Sequence, residues 1–351
     1  MASLTSTDPE RTIEFEFVRA TENAALNSLP WLGRGEKEKA DAAACDAIFG
    51  VFDLVDICGE VVIGEGQKDN APGIFLGEHL GTWRLGSPRF EIALDPIDGT
   101  TNIAYGLPNS ISVMAASEAT TECPHVMTKL PTFYSEKLAY GPKVVHAIER
   151  GMLPISIDEP IALTLGRVAE ALGKRVSELV VMTLKRERHD AFIAAVRKAG
   201  AALRLITDGD ITAAVSPSLV DSDVDLYYGI GGSPEGILTA AALNALGGEM
   251  LLRMRPRDDA ERSAAAEAVG EEALKKIYRC SELVSGDSSI FCATGISDSP
   301  LLPGVRLTGN KAITHSILMR SRSRTVRYIR AIHDLDHKTI HLRSAKAERK
   351  L

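Results

Sequence analysis

The chain has 351 residues, 45% of them apolar and 25% charged, with a formal net charge of −7 at pH 7. That composition belongs to a globular protein with room for a large core and two subdomains. The acidic balance offers nucleic acid no bulk attraction, no apolar run is long enough to span a bilayer, and the polar start at 1–10 lacks the hydrophobic core of a secretory signal. The five cysteines are scattered and show no Cys-x-x-Cys spacing, which reads as reduced thiols of a cytoplasmic protein and not as a thiolate zinc site.

Residues 9–29 read as a helix, with Ile13, Phe17, Ala20 and Ala24 on one stripe. Glu36 to Val55 reads as a second, alanine-rich helix. Strand-like runs follow at Glu60–Ile63, Phe90–Leu94 and Ile111–Ala115. Gly151, Pro154 and Pro160 cluster where the chain divides, so two subdomains are expected at 1–155 and 156–351. Beyond them come helix Ile161–Leu172, strand Leu179–Leu184, helix Asp190–Ala199, and strands Leu203–Thr207 and Val224–Ile230. Ser233–Leu246 reads as a helix with Ser233 as N-cap, Pro234 in its first turn and Gly247-Gly248 at its end. Asp258–Ile277 reads as one exposed helix, Ile290–Gly295 as a strand, and Thr325–Leu351 as basic, strand-like at first and then polar. The alternation predicts a layered α/β fold.

Chemistry concentrates in Asp95-Pro96-Ile97-Asp98-Gly99-Thr100-Thr101-Asn102, at the end of an apolar run. Asp95 and Asp98 can each give an oxygen to a divalent cation. Gly99 lets a ligand approach the backbone, and Thr100 suits a water or a phosphate oxygen. Alone, such a turn reads as an Asx-turn with solvated acids. Gly64-Glu65-Gly66-Gln67-Lys68-Asp69 is a second acidic turn after a second apolar strand, and strand ends of layered α/β folds converge on one edge. Lys37 and Asp41 share a helix face, a spacing that by itself means a surface ion pair. Gly231-Gly232-Ser233-Pro234-Glu235-Gly236 brings glycines and an acid to a helix N-terminus. Lys185-Arg186-Glu187-Arg188-His189 follows a strand with guanidinium groups suited to phosphate. Thr207-Asp208-Gly209-Asp210 either binds sugar hydroxyls or makes a turn. His189 is read as packing or capping at a helix start, not as a general base.

Together these segments resemble the class II fructose-1,6-bisphosphatases of the lithium-sensitive sugar phosphatase superfamily. The resemblance runs in order through Gly-Glu-Lys…Asp at 35–41, Ile-Gly-Glu-Gly…Asp…Ala-Pro at 63–72, Asp-Pro-Ile-Asp-Gly-Thr at 95–100 and Phe-Tyr-Ser-Glu-Lys-Leu at 133–138. It continues through Arg-Glu-Arg-His at 186–189, Asp-Gly-Asp at 208–210, Gly-Gly-Ser-Pro-Glu-Gly at 231–236, and the tail 306–336. It implies a layered α/β/α/β/α sugar phosphatase fold with two subdomains, the first carrying most metal ligands and the second the sugar and phosphate contacts. It implies Mg2+ or Mn2+ held by Asp41, Glu65, Asp95, Asp98 and Glu235, with Asp69 and Thr100 polarising the attacking water and Lys37 near the reacting phosphate. Asp98, Gly99, Thr100, Tyr134, Arg186, Glu187, Arg188, Asp208, Gly209, Asp210 and Gly232 take substrate-contact positions. The expected activity is hydrolysis of the 1-phosphate of fructose 1,6-bisphosphate, in gluconeogenesis, by a cytoplasmic homo-oligomer (dimer or tetramer) acting on a small sugar bisphosphate.

Two departures stand out. The family has Glu where this chain has Asp98, and Lys-Pro-Arg-His where it has Arg186-Glu187-Arg188-His189. Asp98 followed by Thr101-Asn102 is similar to inositol monophosphatases and class I bisphosphatases. Sedoheptulose 1,7-bisphosphate or an inositol monophosphate is therefore the alternative substrate. A phospho-sugar-binding regulator without catalysis is the alternative from another class, and the intact acids argue against it.

Overall fold

The computed structural model describes residues 8–64, 74–131, 133–286 and 288–344, and the backbone of 349–350. By its contacts the chain divides into two units, 1–127 with 286–351 and, between them in sequence, 128–285. A division at 155 falls inside the second unit, because strand 134–140 pairs on both sides with strands of that unit.

The first unit begins with α1 (Pro9–Ser28) and α2 (Lys37–Phe52). Pro9 opens α1, where its missing N–H has no partner to lose. Ile13, Phe17, Ala20 and Ala24 are buried, as their spacing predicts. They share a core with Ala40, Ala44, Ile48 and Phe52 of α2, and the Phe17 and Phe52 rings meet edge-on at 5.2 Å. Each such phenylalanine contributes about 2 kcal/mol through burial. The chain continues through β1 (Cys58–Ile63), β2 (His79–Leu80), β3 (Arg89–Asp98), α3 (Thr100–Tyr105) and β4 (Ile111–Glu118). β1 and β3 run parallel, and β4 runs antiparallel to β3. Phe90, Ile92 and Leu94 of β3 face the core.

The second unit holds β5 (Tyr134–Tyr140), α4 (Pro142–Glu149), α5 (Ile161–Leu172), β6 (Val180–Leu184), α6 (Asp190–Ala199), β7 (Ala202–Ile206) and α7 (Asp210–Val215). It continues with β8 (Leu226–Gly232), α8 (Pro234–Leu246), β9 (Glu249–Met254), α9 (Asp259–Val269), α10 (Glu271–Lys275), β10 (Ile277–Tyr278) and α11 (Cys280–Leu283). Its six-stranded sheet has the order β10-β9-β5-β8-β6-β7. Leu138, Val168, Val181, Leu226 and Leu251 lie in the core on one side of it. The single helix expected over Asp258–Ile277 is instead two helices and a strand. Gly270, at φ 84°, breaks it, and Ile277 and Tyr278 pair with β9. Ser233 stands at the start of α8, but its hydroxyl donates to the Phe133 carbonyl at 3.0 Å and does not cap the helix.

The chain then returns to the first unit as β11 (Ser289–Gly295), β12 (Arg306–Thr308), β13 (Lys311–Arg320) and β14 (Thr325–Asp334). β11 lies between β4 and β13 in the order β12-β13-β11-β4-β3-β1-β2, with β14 on β13. The exit to the second unit is fixed by buried Glu91, whose Oε2 accepts the N–H groups of Val126 and Met127, each at 2.8 Å. The protein is thus mixed α/β, with two mixed sheets and packed helices, the make-up of the layered sugar phosphatase fold. Among the described residues no helix is long and apolar enough to cross a membrane.

Candidate active site

In the first unit the acidic octapeptide is not a turn that follows a strand. β3 runs on to Asp98, with an irregularity in its pairing to β4 between Asp95 and Asp98. A bulge of this kind re-aims side chains at a strand end. The Asp95 Oδ1 accepts the Ile97 N–H at 3.0 Å, and Asp98 is buried. Gly99 then sits at φ 92°, where a Cβ would lie 2.5 Å from the Asn109 carbonyl. Only glycine fits there, and it turns the chain into α3 with Thr100 as the first helical residue. Buried Asn102 and Ser110 lock this corner: the Asn102 amide donates to the Asn109 carbonyl at 3.0 Å, and the Ser110 hydroxyl to the Gly99 carbonyl at 2.8 Å. Asp95, Asp98, Gly99 and Thr100 are thereby held together by backbone geometry.

The loop entering α2 is tied to the same corner. Gly33 and Gly35 donate to the carbonyls of Ile103 and Ala104, at 2.8 and 2.9 Å. Lys37, the first residue of α2, is exposed, with its Nζ 3.9 Å from Glu38 Oε1. Asp41 follows one turn later and is half-buried. Because β1 and β3 are parallel, the end of β1 at Ile63 and the acids of β3 lie at one edge of the sheet. Glu65 and Asp69 lie outside the described residues.

The second unit carries the sugar and phosphate candidates. Tyr134 opens β5 and receives two guanidinium groups on its ring, Arg188 at 4.9 Å and Arg257 at 5.0 Å. The Arg188 Nε donates to the Ile230 carbonyl at 2.8 Å. Half-buried Arg186 and exposed Glu187 lead into a short helical turn. His189 is buried, and its Nε2 accepts the Ile230 N–H at 2.8 Å. Burial, with the neighbouring Arg188 charge, lowers its pKa to about 4, so the imidazole is neutral. That is the packing role expected of it.

Asp208 and Gly209, at φ 92°, lead into α7, whose first residue is Asp210. Asp210 is buried and paired with Lys137. Gly232 ends β8, and a Cβ there would lie 2.1 Å from Glu235 Oε2. The Glu235 carboxylate therefore rests on the backbone of Gly232. Its Oε2 is enclosed and has no hydrogen-bond partner. Burial raises the Glu235 pKa, with Lys137 opposing the rise and Asp210 adding to it.

Lys137 is the residue that sequence reasoning passed over. Strand alternation places Ser135, Lys137 and Ala139 of β5 on one face, opposite Gly231, Gly229 and Tyr227 of β8. The available signal was a charged pair, Glu136-Lys137, inside a short run that is otherwise strand-like.

Among the described residues no three His, Cys, Asp or Glu side chains group as a metal site. The candidate donors are nonetheless all carboxylate oxygens, the set that hard divalent cations prefer. The enclosed, unpartnered oxygen of Glu235 is a charge that a cation would stabilise. In that respect the residues present fit a divalent metal.

The chain matches the family described as bacterial fructose-1,6-bisphosphatase, glpX-encoded, over residues 11–333. It is 42% identical over 339 residues to the fructose-1,6-bisphosphatase class 2 of Haemophilus influenzae, covering 93% of this chain and 97% of that protein. It is 40% identical over 340 residues to the fructose-1,6-bisphosphatase 1 class 2 of Escherichia coli, again covering 93% of this chain and 97% of that protein. The chain belongs to this family.

Proposed function

We propose that the protein hydrolyses the 1-phosphate of fructose 1,6-bisphosphate, giving fructose 6-phosphate and phosphate, with Mg2+ or Mn2+ as its cofactor. The observation that carries this reading is the match, over 93% of the chain, to proteins named for that activity. Asp41, Glu65, Asp95, Asp98 and Glu235 would hold the metal ions. When bound, such ions neutralise the phosphate oxygens and lower the pKa of a water.

The chain's own residues do the rest. Thr100, fixed at the start of α3 by the Gly99 corner, orients the attacking water, and Asp69 takes its proton. The water oxygen bonds to phosphorus as the bond to the sugar oxygen breaks, and that oxygen is protonated as it leaves. Lys37 stands near the reacting phosphate. Arg186 and Arg188 hold the second phosphate, and Arg188 is pre-positioned by Ile230 and Tyr134. Binding energy at that remote group positions the reacting one. Gly99, Tyr134, Glu187, Asp208, Gly209, Asp210 and Gly232 complete the contacts with the sugar bisphosphate. The five cysteines are free thiols, which supports a cytoplasmic home, and a dimer or tetramer is the assembly expected of it.

Asp98 favours a second reading. It is one methylene shorter than glutamate and is buried, so a bound ion would meet a shorter ligand here, and with it a different choice of sugar. Phosphate release from fructose 1,6-bisphosphate, sedoheptulose 1,7-bisphosphate and inositol 1-phosphate, under Mg2+, Mn2+ and added Li+, tests both. The fructose ester is expected to turn over fastest, and Arg186→Ala and Arg188→Ala should each slow it. Faster turnover of inositol 1-phosphate, indifferent to both arginine substitutions, would replace the bisphosphatase reading with a monophosphatase.

A further inference from the structure

Lys137 is fully buried in the middle of the second unit's sheet. A buried ammonium is costly unless it is paired, and Asp210 Oδ2 is its partner. The floor beneath the pair is glycine. A Cβ on Gly231 would lie 2.6 Å from Asp210 Oδ2, and one on Gly229 would lie 3.2 Å from Asp210 Oδ1. The fold thus gives up side chains at two positions of a central strand to admit this carboxylate.

Lys137 occupies only one of the two Asp210 oxygens. Asp210 is 7% exposed, and its Oδ1 is enclosed without a hydrogen-bond partner. Ser135 Oγ and Tyr227 OH, on the same sheet face, are likewise enclosed and unpartnered. Buried polar atoms are almost always paired in a working protein. Here the unmet acceptor and hydroxyls lie along one face of β5 and β8, with the Tyr227 hydroxyl and Asp210 Oδ1 both beside Gly229. A polyhydroxyl ligand offers the donors and acceptors they lack.

We propose that Lys137 is a positioning residue for sugar recognition: its ammonium holds one oxygen of Asp210 so that the other accepts a hydrogen bond from a substrate hydroxyl. The inference rests on the reading that the substrate is a sugar phosphate. It differs from a purely structural ion pair, which would tie α7 to the sheet without affecting how the sugar binds.

Kinetics and calorimetry of Lys137→Met, Asp210→Asn and the double variant separate the two. Each single variant should raise the KM for fructose 1,6-bisphosphate about tenfold, the scale of one hydrogen bond to a charged group, with a much smaller change in kcat. The Kd for fructose 6-phosphate, measured by calorimetry, should rise in parallel. Because Lys137 acts through Asp210, the double variant should bind no worse than Asp210→Asn alone. That comparison stands even if Lys137→Met alone fails to fold, since the double variant removes both charges of the Lys137–Asp210 pair together. Additive losses in the double variant, or an unchanged Kd in Lys137→Met, overturn the inference. A wild-type protein that releases no phosphate from fructose 1,6-bisphosphate overturns the function itself, a different result from either of these.

Discussion

The two units hold their acids in opposite ways. In the first, Asp95 and Asp98 sit in one irregular strand end, where the Asp95 carboxylate accepts the Ile97 N–H and the adjoining Gly99 carbonyl accepts the Ser110 hydroxyl. In the second, Asp210 and Glu235 are brought together by sheet and helix packing around Lys137, a residue 73 positions from Asp210. Chemistry built on a local turn survives as a readable motif. Chemistry built on long-range pairing shows itself only after the chain folds, because the glycine floor and the buried ammonium have meaning only in register.

The comparison can be broken most forcefully at Asp95. Asp95→Asn keeps an oxygen for the Ile97 N–H but loses a charge, so phosphate release should fall by roughly a hundredfold or more while the thermal midpoint barely moves. Near-wild-type turnover would remove Asp95 from the metal site. In the second unit, Gly232→Ala pushes a methyl into the Glu235 carboxylate, the far end of a flexible side chain. A titration should show about tenfold more Mn2+ needed for half-maximal activity, with circular dichroism unchanged. An unaltered Mn2+ requirement would deny Glu235 its role.

Gly99→Ala sharpens the contrast on the side of stability. It forces an alanine to φ 92° against the Asn109 carbonyl and should cost about 1–3 kcal/mol in denaturant unfolding. A neutral result would mean that the corner yields easily.

The remaining effect is one of pH. The His189 pKa is about 4 in the folded chain, against about 6.5 for a free imidazole. Its contribution is therefore full above pH 6.5 and is lost as pH falls toward 4, where the unfolded state takes a proton that the folded state refuses. His189→Gln should show a shallower loss of thermal stability across that window than the wild type. Parallel curves would show that other groups set the acid limb.

Much of the fold was legible where apolar residues repeat locally. Helices α1, α5, α6 and α8 lie within a residue or two of their expected bounds, α1 through its apolar stripe and α8 through Pro234 at its start and Gly247-Gly248 at its end. β5 escaped because Ser135, Glu136 and Lys137 are buried polar residues, and the partners of Glu136 and Lys137 lie far along the chain. β13 escaped for a similar reason. Its Thr314 and Ser316 are buried, and Ser316 meets Thr294 at 2.7 Å, which in turn meets Thr21 of α1 at 2.8 Å. A hydrogen-bonded ladder between distant segments makes polar residues behave as core, and no periodicity announces it. The acidic octapeptide reads as a turn, and its strand character as far as Asp98 was missed because Pro96 and Gly99 spell a turn.

The second unit leaves and rejoins the first beside a single point. Thr128 donates to the Leu283 carbonyl at 2.8 Å within the second unit, and a Cβ on Gly286 would touch Val126 at 3.7 Å within the first. Yet β4, which every intervening residue must follow off the ribosome, pairs with β11 from Ile111 to Ser117. From Ser117 to Ser288 is a separation of 171 residues, roughly ten to thirty seconds of synthesis. For that interval β4 lacks its partner β11, and only at its end are all residues of the second unit made. The inserted middle unit is therefore synthesised in full before the first unit has the strand that completes its sheet.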